Sequence, residues 1–173
     1  MHNLMTLKTI RESSISRISN YEPRTNKVID ALKIGDFQSV EKMVANGVDI
    51  NGHNYSENTP LTNAAERGDI KIIEFLFGKL NANVHESCDC PYHMTAIHYA
   101  SKNGHVEVIE MLLKYGANVN VKDSRNKTAL DVAINNDVAK ILSYNGCVEG
   151  NKILLVSSQY LPIKKCDDDL TGL

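Results

Sequence analysis

The sequence predicts an all-α chain, a solenoid of about four helix-turn-helix repeats, and three recurrences carry that prediction. A Thr-x-Leu/Ile segment occurs at Thr59-Pro60-Leu61, Thr95-Ala96-Ile97 and Thr128-Ala129-Leu130, with spacings of 36 and 33 residues between the threonines. Gly35, Gly68 and Gly104 recur at intervals of 33 and 36. A third motif closes each unit: NGVDIN at 46–51, NANVH at 81–85 and YGANVN at 115–120. A period near 33 residues is that of a supersecondary unit too small to bury its own apolar face, so neighbouring units must bury it.

The stretch TAIHYASKNGHVEVIEMLLKYGANVN, within residues 90–122, resembles the ankyrin repeat, a β-turn plus two helices with a Thr-Pro-Leu-His signature. Four units follow from that resemblance, at 25–53, 54–89, 90–122 and 123–146, about seventy per cent of the chain. It also implies short β-hairpin fingers between the helix pairs.

The first unit, NKVIDALKIGDFQSVEKMVANG, lacks the Thr-Pro-Leu-His segment and reads as an N-terminal cap, since one face of a terminal repeat meets solvent. The second has Asn81 at the glycine position, and asparagine tolerates left-handed backbone better than most residues. It carries an extra residue around Gly78–Leu80, and ten steps separate His85 from Thr95, where Asn51–Thr59 and Asn120–Thr128 take eight. In the third, Ile97, Ala100 and Ser101 share one face of the first helix, and Val106, Val108, Ile109, Met111, Leu112 and Leu113 stripe the second. Ala64, Ala65, Ala100 and Ala133 let first helices stack closely. The fourth is short, with Asn136-Asp137 where Gly-His is expected. Residues 1–24 are either a tail or an additional helix. Within the C-terminal extension, 147–173, residues 151–161 (NKILLVSSQYL) suit a helix covering the last repeat, a strand over Ile153–Val156 being the alternative.

Composition narrows the function classes. The 19 Lys+Arg against 21 Asp+Glu give a net charge of −2, which argues against a nucleic-acid binder or a binder of acidic membranes. No apolar run has the length of a bilayer span, and MHNLMTLKTIRESS lacks a signal-type core, so a cytoplasmic protein without membrane contact is expected. Four cysteines make no disulfide framework and point to a reducing compartment. Asn, Ile and Lys supply 47 of 173 residues, a bias that AT-rich coding produces, and a pathogen's host-directed effector fits it.

No nucleophile elbow, phosphate-cradling loop or metal-binding helix motif occurs, so neither catalytic residues nor a cofactor are expected. The loop holding His85, Cys88, Cys90 and His93 gathers zinc-type ligands, but Cys-x-Cys is not a common zinc spacing, and the expectation is a lengthened finger without metal. A redox pair there is disfavoured because no helix N-terminus or clear base activates a thiol. The resemblance implies that His98 locks the turn at Thr95, that His105 starts a helix, and that the lock is altered where Thr62 and Asp131 replace the histidine.

What remains for function is a surface. By the resemblance, a protein partner is bound through a concave face of finger tips and first helices, and the chain is a non-enzymatic adaptor or inhibitor, expected to be a monomer. The matching positions are Tyr55, Ser56, Asn58, Glu66 and Arg67, then Tyr92, Met94, Lys102 and Asn103, then Ser124, Arg125 and Lys127. Tyr92 and Arg125 lie off the apolar stripes, so replacing both should leave the fold unaffected. The resemblance further marks Asn120, and less favourably Asn51, as candidates for asparagine hydroxylation, Asn120 having Leu112 eight residues upstream where Asn51 has Met43.

Overall fold

Short polar side chains set the helix starts in this chain, and left-handed glycine or asparagine ends several of them. The computed structural model describes residues 24–146. They hold α1 (24–34), α2 (Phe37–Ala45), α3 (Pro60–Arg67), α4 (Ile70–Leu80), α5 (Ala96–Asn103), α6 (Val106–Lys114) and α7 (Asn136–Tyr144). The expectations for the first 23 residues and for a capping helix at 151–161 fall outside them.

Asp36 starts α2 by accepting the Ser39 N–H at 3.1 Å, and the Ser39 hydroxyl first, then this N–H, hold its carboxyl below the ordinary value. Thr59 caps α3, with Pro60 at the first helical position where a missing N–H costs nothing. Asn135 caps α7 by accepting the Val138 N–H at 2.9 Å. Asn81 ends α4 with φ +50°, as expected of an asparagine in the glycine slot. Gly68 (φ +76°) ends α3, and a β-carbon there would lie 2.7 Å from His105 Nδ1, so close packing and backbone conformation both require glycine.

The core runs through the helices as a ladder. First helices meet through small residues: α3 packs on α5 with Ala64, Ala65, Ala96 and Ala100 all buried. Second helices bury Ile72, Ile73, Leu76 and Phe77 in α4, Val108, Ile109 and Leu112 in α6, and Val138 and Leu142 in α7. Met111, Leu113 and Val106, placed on the α6 stripe by periodicity, pack at its margin and stay half-buried. Phe77 stacks on Tyr115 with ring centroids 4.2 Å apart, joining the ends of α4 and α6.

Two features differ from expectation. The fourth unit has a second helix but no regular first one: residues 129–132 form turns. From Thr128 to the cap Asn135 is seven residues, whereas Thr59 to Asp69 and Thr95 to His105 are ten, so almost a full helical turn is missing. Hence Ile134-Asn135, not Asn136-Asp137, stands where Gly104-His105 stands one unit earlier. The fingers, expected as hairpins, carry a single isolated antiparallel bridge among the described residues, Ser87 to Thr95, and otherwise consist of turns.

Candidate partner-binding surface

Each finger is a turn tied down by its own side chains. Asn54 Oδ1 accepts from the N–H groups of Ser56 and Asn58, both at 2.9 Å. Asp123 Oδ1 repeats this with Arg125 and Lys127, both at 2.9 Å. The residue before the last of each turn is left-handed: Glu57 (φ +62°), His93 (φ +47°) and Asn126 (φ +63°). Burial alone would raise the Asp123 carboxyl, but the Lys127 and Arg125 N–H groups and the Arg125 guanidinium outweigh it and hold the group below its ordinary range. A related turn lies at the finger bases, where Asp49, Asn83 and Asn118 accept from the N–H two residues on, in Asn51, His85 and Asn120.

The fingers are also tied to one another. Asp89 N–H donates to Glu57 O, and Ser124 N–H to Tyr92 O, both at 2.9 Å. Ser124 Oγ donates to Pro91 O at 2.7 Å. The Arg125 guanidinium lies 4.1 Å from the Tyr92 ring centroid while its Nη2 pairs with Asp123 at 2.9 Å. His98 supplies a further tie from beneath. Its Nδ1 accepts the Thr95 N–H at 3.2 Å, so Nε2 carries the hydrogen and donates to Lys127 O of the next finger at 3.1 Å. The ring is fully buried, and that burial lowers its pKa against the opposing pull of the Lys127 carbonyl and Asp123.

Three different side chains close the Thr turn. Thr62 Oγ1 accepts from Thr59 N–H at 2.8 Å, and Asp131 Oδ2 from Thr128 N–H at 2.7 Å, where His98 serves in the third unit. His105 does sit at the start of α6, but its side chain makes no cap there; Nε2 instead reaches Glu66 O of the preceding unit at 3.1 Å. That contact links α3 to α6 and was not evident from the motif.

The proposed contact residues separate into three groups. Tyr55 (64% exposed), Ser56, Glu66, Arg67, Lys102 and Asn103 lie on the surface, with Arg67 paired to Asp69 at 2.7 Å. Tyr92, Ser124, Arg125 and Lys127 are exposed but also join the third and fourth fingers, so Tyr92 and Arg125, though off the apolar stripes, make contacts within the fold. Asn58 is half-buried, and Met94 is not a surface residue at all: it is 3% exposed, in the core cluster, because its backbone pairs with Cys88 and draws the side chain inward. The candidates for hydroxylation also face different surroundings. Asn51 is half-buried with its side-chain oxygen accepting Asn83 N–H at 2.8 Å, whereas Asn120 is exposed and donates to Gly146 O at 3.1 Å.

The cysteine loop departs from the reading of separate thiols. Cys88 and Cys90 are joined by a disulfide. Among the described residues, no helix is long and apolar enough to cross a membrane. Sequence reasoning passed over Asp123, whose spacing to Thr128 matches that of Asn54 to Thr59 and marks it as the turn acceptor.

A family profile described as ankyrin repeats in three copies matches residues 28–123 and, in a second placement, 80–153. Alpha-latrotoxin-Lg1a of Latrodectus geometricus is 30% identical over 66% of this chain and 8% of its own length. The rat (Rattus norvegicus) ankyrin repeat and SAM domain-containing protein 6 is 28% identical over 76% of the chain and 15% of its own length. The ankyrin repeat and SOCS box protein 11 of Pongo abelii is 32% identical over 60% of the chain and 31% of its own length. The chain thus spans less than a third of each of these relatives.

Proposed function

Because the chain belongs to the ankyrin-repeat family, whose repeats mediate protein–protein interaction, we propose that it is a non-enzymatic module that binds a protein partner through its fingers and the exposed ends of its first helices. The observation that carries this reading is the series of bonds between fingers. Asp89–Glu57, Ser124–Tyr92 and His98–Lys127 hold the second, third and fourth fingers in one arrangement before any partner arrives. A preorganised surface loses little conformational freedom on binding, so its contacts appear as affinity. Tyr55 supplies a large exposed aromatic, and Glu66, Arg67, Lys102 and Asn103 supply exposed charge and hydrogen-bonding groups.

The module acts as an adaptor, inhibitor or host-directed effector in the cytoplasm, as a monomer. Affinity purification from the native cell followed by mass spectrometry identifies the partner, and the variant Tyr55→Ala/Lys102→Ala then tests the surface. Affinity should fall while Tm stays within about 4 °C of the parent, since surface substitutions away from bonded networks each change stability by about 0.5 kcal/mol or less. Unchanged affinity removes this face as the binding site. Light scattering should give a monomer; a dimer would favour a structural assembly subunit instead.

Asn120 is proposed as the better substrate of an asparagine hydroxylase, its exposure adding to the upstream Leu112. Incubation with such an oxygenase, iron and 2-oxoglutarate should add one oxygen atom to Asn120 before Asn51. No gain on either residue, with a control repeat modified in the same tube, overturns the assignment.

A further inference from the structure

The third finger is built differently from its neighbours at one position. Aligned on Thr59, Thr95 and Thr128, the turn acceptors Asn54 and Asp123 fall opposite Cys90. Cys90 offers no strong acceptor for the N–H groups that follow it, and it is instead bonded to Cys88. Cys88 is tied across the same loop to Met94: its N–H donates to Met94 O at 2.9 Å, and its Sγ accepts the Met94 N–H at 3.3 Å. The covalent bond therefore takes the place that two hydrogen bonds hold in the flanking fingers.

A bridge between residues two apart removes little freedom from the unfolded chain, so global stability gains little from it. Its two ends differ in access. Cys88 is fully buried, whereas Cys90 is half-buried, beside the Tyr99 hydroxyl at 3.8 Å. The loop it closes is also the one that donates Asp89 N–H to the second finger and lends Pro91 O and Tyr92 O to the fourth.

We propose that Cys88 and Cys90 form a reversible thiol–disulfide site, exchanging with small-molecule thiols of the glutathione type, and that oxidation locks the third finger between its neighbours. A glutathione thiolate attacks Cys90 Sγ, the S–S bond breaks, and Cys88 leaves as the thiolate, which the Met94 N–H stabilises until solvent protonates it. A second glutathione thiolate attacks the glutathione sulfur of the mixed disulfide and releases Cys90. Two glutathione thiols become one glutathione disulfide, and two protein thiols are formed. The reverse sequence closes the bridge. The site is independent of any partner, so it stands or falls apart from the binding reading.

The test uses the full chain equilibrated in glutathione buffers of rising oxidised-to-reduced ratio, with thiols trapped by alkylation and located by peptide mass spectrometry. The pair at 88 and 90 should pass from two alkylated thiols to none across that series. Amide hydrogen exchange in 88–95 and at Ser124 should be about tenfold faster in the reduced protein, with α3 and α6 unchanged, as befits a local opening. Cys90→Asp restores the acceptor that Asp123 provides, and its third finger should exchange slowly at every ratio. Cys88→Ser/Cys90→Ser should exchange fast at every ratio. Free thiols at both positions in fully oxidised buffer, or equal exchange in the oxidised and reduced proteins, would overturn the proposal.

Discussion

The third and fourth units share a plan and differ in one dimension. Both open with a Thr turn, both hang a second helix with matching apolar positions, Val108 and Leu112 in α6 and Val138 and Leu142 in α7, and both end near a left-handed glycine, Gly116 and Gly146. The third has a full first helix in which Ala96 to Ser101 are all buried; the fourth, three residues shorter between Thr and cap, has only turns. The second helix survives the loss of the first because its register is set by contact with the preceding second helix. A first helix, by contrast, needs its full length to bury a face.

The largest expected effect bears on that contrast. Leu112→Ala should destabilise by about 2–5 kcal/mol, since a large buried side chain leaves both lost transfer energy and a cavity. Leu142→Ala, also fully buried but in the unit with the shortened first segment, should cost less, because fewer packed neighbours hold a cavity open. Urea unfolding of both variants checks this, and an equal or larger loss at Leu142 would mean that the fourth unit is as well supported as the third.

Next comes the joint between the two units. Asp123→Ala removes a carboxylate that serves two backbone N–H groups and Arg125, and should cost roughly 2 kcal/mol, hydrogen bonds to charged groups being worth about 1.5–3. Arg125→Ala leaves that acid with its backbone donors and should cost less. Amide exchange can localise the damage: it should appear at 123–128 and in the third finger while α3 stays protected.

The smallest effect is the response to acid. His98 is buried with its pKa lowered, chiefly by desolvation, so the unfolded chain takes up the proton first as pH falls through about 6.5. The stability contribution of this ring is therefore complete above that pH and declines below it. A protonated Nδ1 would also face the Thr95 N–H donor it now accepts from. His98→Gln should flatten the decline between pH 7 and the acid limb, and an unchanged slope would assign the acid loss to other groups.

How much was legible follows the same division. Period and spacing identified the repeat, the helix order and the core leucines, because those features depend on residues near in sequence and on an apolar pattern that any stacking of units must bury. The missing first helix was countable as three absent residues, yet family comparison placed Gly-His two residues late because the turn hides the deletion. Met94 was misread for a different reason. It occupies the slot of Asn58 and Lys127, and only the pairing of its backbone with Cys88 turns the side chain inward.

Sequence alone determined that this chain is a stack of ankyrin units with alanine-lined first helices and leucine-rich second ones, since repetition at 33 to 36 residues and helical periodicity are local properties. Tertiary structure decided how the units are joined. His98 reaching Lys127 O, His105 reaching Glu66 O, Arg125 lying over Tyr92 and Cys88 bonding Cys90 all depend on where separate turns come to rest, and no spacing along the chain encodes the direction in which a side chain crosses from one unit to the next.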